Sequence, residues 1–119
     1  MKHEQAKAIT DVASEMYEIA TDKGFHNGDV RGTVPANFGA CCANLHSEVS
    51  ELWEAYRHHE LDRQCEKPVQ LTCAEEELAD IVIRAMDMAT AIGVDLGQSI
   101  LKKSEYNRAR SYRHGGKAA

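Results

Sequence analysis

Two pairs of carboxylates, each three residues apart, are the part of this chain best suited to chemistry: Glu48 with Glu51, and Glu77 with Asp80. Residues at i and i+3 share a helix face, so each pair aims two carboxylates in one direction. Both pairs border apolar residues, Leu45, Val49 and Leu52 around the first and Leu78, Ile81 and Val82 around the second. Four carboxylates gathered beside a core need a counter-charge, because withdrawing each from water is costly. An all-oxygen ligand set of this kind favours Mg2+, with Mn2+ as the alternative. Di-iron helical bundles use Glu-x-x-His pairs. Neither pair here contains histidine, which argues against iron and oxygen chemistry. A single such pair is what a solvated helix face carries; its recurrence beside a second apolar stripe is what points to a metal.

The elements that must position these acids read as four helices. The first spans about residues 3–23, with Ile9, Val12, Ala13, Met16, Ile19 and Ala20 as its apolar stripe. A loop over residues 24–37 contains Gly24, Gly28, Gly32 and Pro35; it lacks the Gly-Lys-Ser/Thr ending of a phosphate-binding P-loop and reads as turn chemistry. The second helix covers about 38–60 behind Asn37 as N-cap, with Phe38, Cys41, Leu45, Val49, Leu52 and Tyr56 facing the core and Asn44, Glu48, Glu51 and Ala55 on the neighbouring stripe. A polar connection around Pro68 leads to Thr72, which with Glu75 has the form of a capping box. The third helix runs from about 73 to 92, its core stripe being Leu78, Ile81, Val82, Ala85, Met86 and Ala89. Glu77, Asp80, Arg84 and Asp87 lie beside that stripe, and Gly93 ends the helix. Asp95 caps a fourth helix over 96–110, with Leu96, Ile100, Leu101 and Tyr106 facing inward, and residues 111–119 form a tail.

Composition agrees with an all-α fold. The 119 residues are one domain's worth, 43% are hydrophobic, and only two prolines interrupt them. Short connections favour antiparallel neighbours in a four-helix, bundle-like arrangement, and a core this small is commonly completed by a second copy. No apolar stretch is long enough to span a bilayer, and no signal-peptide pattern is present. The four cysteines, Cys41, Cys42, Cys65 and Cys73, are expected as free thiols in the cytoplasm. A zinc clip of Cys65, Cys73, His58 and His59 matches no standard spacing.

Charge is unevenly placed. Six of the 14 basic residues fall in the last 18 positions beside one acid, Glu105, which leaves 8 basic and 18 acidic residues ahead of them. An acidic body with a basic end is unlike a duplex-DNA binder, whose basic face is broader. It suits an anionic ligand held between a metal and a cationic arm. Lys103 and Asn107 share a face of the fourth helix and are suited to gripping phosphate oxygens. Arg110, Tyr112, Arg113 and His114 follow closely; they either close over a polyphosphate or form a solubilising tail.

Taken in order, Leu45-His46-Ser47-Glu48-Val49-Ser50-Glu51-Leu52, then Glu77-Leu78-Ala79-Asp80, then Lys103-Ser104-Glu105-Tyr106-Asn107 resemble the MazG-like nucleoside triphosphate pyrophosphohydrolases. That all-α superfamily includes dimeric dUTPases, dCTP pyrophosphatases and phosphoribosyl-ATP pyrophosphohydrolases. The similarity covers roughly residues 38–114. It implies a homodimer or homotetramer that cleaves a nucleoside triphosphate between the α- and β-phosphates, with Mg2+, to a monophosphate and pyrophosphate. Glu48, Glu51, Glu77 and Asp80 would be the metal ligands, with Glu48 or Glu51 orienting the attacking water. Lys103 would stabilise the departing pyrophosphate, and Asn107, Arg110, Tyr112 and Arg113 would contact substrate. Two positions depart from the pattern: Ser47 stands where many members carry a further glutamate, and Ser111 where many carry proline. Two other readings remain open: a helical interaction or regulatory module that keeps the fold without catalysis, and an enzyme acting on phosphoribosyl-ATP.

Overall fold

The computed structural model describes residues 1–66 and 70–110; the expected turn at Pro68 and the tail 111–119, with Tyr112 and Arg113, lie outside the described residues. The fold is all-α. Four helices follow in order: α1 (His3–Asp22), α2 (Phe38–Arg57), α3 (Cys73–Ala91) and α4 (Leu96–Ala109). The described residues contain no strand, and their β pairing is a single antiparallel bridge between Gln64 and Thr72.

Local chemistry sets the boundaries. At the start of α3, the Glu75 N–H donates to Thr72 Oγ1 at 3.2 Å and the Thr72 N–H donates to Glu75 Oε1 at 2.9 Å, the expected capping box. Hydrogen bonding from the Thr72 backbone N–H, and then from its side chain, holds the Glu75 carboxyl below its ordinary range. Asp95 caps α4 by accepting from the Gln98 N–H at 3.1 Å. Asn37 precedes α2 but makes no capping hydrogen bond with its side chain. The chain reverses after α3 at Gly93, whose φ of 81° suits a residue without a Cβ. α2 stops at Arg57 rather than near residue 60, because His59 takes a left-handed φ of 57° that a right-handed helix cannot continue through.

The helices pack as a row. α2 lies on α3, α3 on α1, and α1 on α4, while α2 touches neither α1 nor α4. At the crossing of α1 and α4 the backbones come so close that a Cβ on Gly97 would overlap the Ala6 carbonyl. Polar groups at this crossing are matched: the Gly97 N–H donates to Thr10 Oγ1 at 2.9 Å, and the Thr10 hydroxyl donates to Asp95 Oδ1 at 2.7 Å. Buried apolar residues are mostly small, Ala6, Ala13, Ala89 and Ala91, joined by Cys65, Tyr17 and Leu101.

Several expected core residues face outward instead. Val12 and Ile19 on α1, Val49 and Tyr56 on α2, Leu78 and Val82 on α3, and Ile100 and Tyr106 on α4 are all exposed. On α2 the inward stripe is Cys41, Leu45, Glu48, Leu52 and Ala55, so Glu48 is part of the helix seam rather than beside it. Periodicity detects an apolar stripe but does not say what covers it. None of the four cysteines is in a disulfide. The zinc clip does not form: Cys65, Cys73, His58 and His59 make no metal-sized cluster among the described residues.

Candidate metal centre

The α2–α3 seam brings three of the four acids together. One carboxylate oxygen from each of Glu48, Glu51 and Glu77 lies within 4.8 Å of the others, the one such group among the described residues. Opposed ligands across an ion are separated by about 4.2 Å for Mg2+ and about 5 Å for Ca2+, so the spread matches a hard cation. Asp80, one turn further along α3 and half-buried, is not part of this trio.

The three carboxylates differ in environment. Glu48 is 8% exposed. Its Oε1 accepts from Arg84 Nε at 2.9 Å, while its Oε2 is buried and meets no donor. Glu77 Oε2 is likewise buried and meets no donor. Burial, the hydrogen bond and charge of Glu51, and the charge of Glu48 together push the Glu77 carboxyl up to about 7. In the absence of a cation, a proton held between Glu77 and its neighbours relieves that repulsion. Glu51 is the exposed member.

Charge balance reinforces the geometry. Arg84 offsets one of three negative charges, and the two that remain equal the charge of one divalent cation. Two buried carboxylate oxygens without donors are expensive to keep, and a cation would satisfy both. The residues present therefore fit a Mg2+ or Mn2+ ion.

Arg84 and Asp87, three apart on α3, do not pair with each other. Arg84 turns to Glu48, and Asp87 Oδ1 meets His26 Nε2 at 2.6 Å. His26 also approaches Asp29 at 3.3 Å and stacks on Tyr17 with ring centroids 4.4 Å apart. The ring thereby pins the 24–37 loop to α1 and α3. Nearby, burial and then the Asp87 charge push the Cys41 thiol up, which disfavours its thiolate. Phe25, beside His26, points outward and is 73% exposed.

The fourth-helix cations are not at this seam. Lys103 and Asn107 are exposed on α4, which packs along α1 and has no contact with α2. Lys103 Nζ sits 4.7 Å from the Tyr106 ring centroid, and the Arg110 guanidinium 5.7 Å from it, making one cationic face around an exposed aromatic.

Beside the trio the sequence reading missed a cleft of about 310 Å3. Glu51 and Glu77 line it together with Glu54, His58, Glu60 and Arg63 from the end of α2 and the connection that follows. The only signal for it was an arginine in a polar linker, which has no pattern of its own.

Among the described residues no helix is long and apolar enough to cross a membrane. No protein-family model matches the chain, and no solved structure matches it. The chain is similar to a dATP/dGTP diphosphohydrolase of Cyanophage S-2L, 36% identical over 74 residues. The aligned stretch is 62% of this chain and 57% of the relative, so the chain spans a little over half of that protein's length.

Proposed function

We propose that this protein is a Mg2+-dependent nucleotide pyrophosphohydrolase that cleaves a nucleoside or deoxynucleoside triphosphate between the α- and β-phosphates, releasing a monophosphate and pyrophosphate. The observation that carries this reading is the pair of buried, donorless oxygens, Glu48 Oε2 and Glu77 Oε2, in a three-carboxylate cluster. Similarity to the phage diphosphohydrolase supports the substrate class and puts dATP and dGTP first among the nucleotides to try.

Glu48, Glu51 and Glu77 would hold the ion, with Asp80 as the next ligand along α3. When bound, Mg2+ supplies charge neutralisation at the phosphates and a water of lowered pKa. The chain's own contribution is positional. Arg84 locks Glu48, which makes that carboxylate a fixed ligand. Glu51, exposed at the cleft, is the member placed to accept a proton from the attacking water at a carboxylate oxygen.

Lys103, Asn107 and Arg110 are the phosphate contacts proposed from α4, with Tyr112 and Arg113 beyond it. Because α4 and α2 do not meet within the chain, these residues would serve a site completed by a second copy. Outward stripes on α2 (Val49, Trp53, Tyr56) and α3 (Leu78, Val82), with Trp53 at 55% and Tyr56 at 59% exposure, support a homodimer or homotetramer.

The test is a panel of NTPs and dNTPs incubated with protein and Mg2+ and assayed for pyrophosphate. Turnover that disappears in Glu77→Gln supports the reading. Absence of turnover for every nucleotide, with no rise in melting temperature on adding Mg2+ and nucleotide, would leave the interaction module as the better account.

A further inference from the structure

The lining of the cleft beside the trio is rich in carboxylates. Glu51 and Glu77 form the side shared with the metal centre, and Glu54 and Glu60 add two more carboxylates. Among its lining residues one carries a fixed positive charge, Arg63. At about 310 Å3 the cleft is at the small end of ligand sites. It suits the phosphate end of a nucleotide rather than the whole molecule.

Arg63 is held by its backbone and loose at its head. The Cys73 N–H donates to the Arg63 carbonyl at 2.8 Å, and the Ala74 N–H to the Leu61 carbonyl at 2.9 Å. With the Gln64–Thr72 bridge, these bonds stitch the connection to the first turn of α3, one turn before Glu77. The guanidinium is 53% exposed, 3.6 Å from Glu60 and 3.9 Å from Glu66, and it reaches the Cys73 side chain. Both ion-pair distances exceed those of a strong charge-assisted hydrogen bond. Exposed pairs of this kind are weak and screened by solvent, so phosphate oxygens can displace them.

We infer that Arg63 is a substrate-binding residue that grips the β,γ-phosphates of a metal-complexed polyphosphate, so that cation and arginine hold the anion from opposite sides of the cleft. This rests on the reading of the trio as a metal centre for a nucleotide enzyme. The carboxylates alone repel a free polyphosphate, so the anion enters as its Mg2+ complex. The guanidinium fork then meets two oxygens that the metal does not face. The departing pyrophosphate keeps that contact as the α,β bond breaks.

Arg63→Ala, Arg63→Lys and the unmodified protein are compared by three measurements. Mn2+ binding without nucleotide, followed by electron paramagnetic resonance, reads the trio alone and is expected to stay within about twofold in both variants. Pyrophosphate binding in the presence of Mg2+, and KM for the best nucleotide, are expected to weaken by about tenfold or more in Arg63→Ala. Arg63→Lys should lie between, because it keeps the charge and loses the fork. Circular dichroism checks the fold of each variant. If Arg63→Ala binds Mg2+-pyrophosphate and nucleotide as the unmodified protein does, the inference fails while the function stands. Loss of Mn2+ binding in both variants also overturns it, since Arg63 would then serve the fold. If the unmodified protein hydrolyses nothing yet binds Mg2+-pyrophosphate through Arg63, the inference stands and the proposed reaction fails.

Discussion

The two outer seams of the row, α1–α4 and α2–α3, solve opposite problems. At α1–α4 the backbones are drawn together at Gly97, and Thr10 and Asp95 leave no polar group at the crossing wanting. At α2–α3 a buried glutamate sits in the stripe that should be apolar, and two carboxylate oxygens meet no donor. The first seam is complete as it stands. The second is complete only with a proton or a cation, so folding tolerates a local deficit there that ligand binding would remove. The two seams thus differ in whether the chain's own groups satisfy them.

The sharpest way to break this division is to remove the charge at the second seam. Glu77→Gln should reduce pyrophosphate release by about a hundredfold or more, on the scale of lost metal-site groups. In EDTA the same variant should melt higher than the unmodified protein, because a buried like-charge contact is gone. A variant that melts lower in EDTA and retains activity would show that the trio is an ordinary surface cluster.

Gly97→Ala tests the first seam. The added methyl collides with the Ala6 carbonyl, and overpacking of this kind costs about 1–3 kcal/mol. Thermal melts should show that loss, while kcat of the folded fraction stays unchanged. A large fall in kcat at full folding would mean that the two seams are coupled.

Arg84→Ala probes the support of Glu48. Its bond at 2.9 Å orients that carboxylate, and loss of such a partner weakens metal affinity by about 10–100-fold. Mn2+ titration should read a value in that range, with KM for nucleotide rising in parallel at limiting metal. Unchanged Mn2+ affinity would mean that Glu48 is placed by packing alone.

The smallest expected effect is in pH dependence. Without metal, Glu77 keeps its proton in the folded chain up to about 7, against an ordinary value of 4.5. The folded state therefore binds that proton more tightly than the unfolded one. Its contribution is full below about 4.5, declines from there to about 7, and is absent above. The melting temperature in EDTA should fall across this window relative to Glu77→Gln, and saturating Mg2+ should flatten the difference. A difference that is constant with pH would remove Glu77 from the coupled trio.

Several helix boundaries were legible in the sequence. Asp95 as a cap, Gly93 as a stop and the Thr72–Glu75 box are local signals, and each appears with the expected hydrogen bond or dihedral angle. The close contact at Gly97 was not legible, because the oxygen it would strike belongs to Ala6, 91 positions earlier. On the α2–α3 side the pairing of the acids was legible from spacing, but their place was not. The spacing put Glu48 beside the core stripe, whereas it lies within it. Val49, Tyr56, Leu78 and Val82 have core-like spacing yet face outward, and periodicity does not separate a face covered by the same chain from one covered by another. Lys103 and Asn107 both lie exposed on α4, but which helix α4 meets is a matter of topology that side-chain spacing does not encode.

The way α2 is attached has a kinetic consequence. It is an end member of the row, held to the rest of the helices through α3 alone, and its anchoring surface contains the ionisable trio. Local opening free energies follow the contacts that must be broken. The backbone amides of α2 should therefore exchange with solvent earliest among the four helices when the carboxylates repel one another. Neutralising them would slow that exchange without altering α1 or α4. Divalent-ion concentration then acts as a tension control on a single helix.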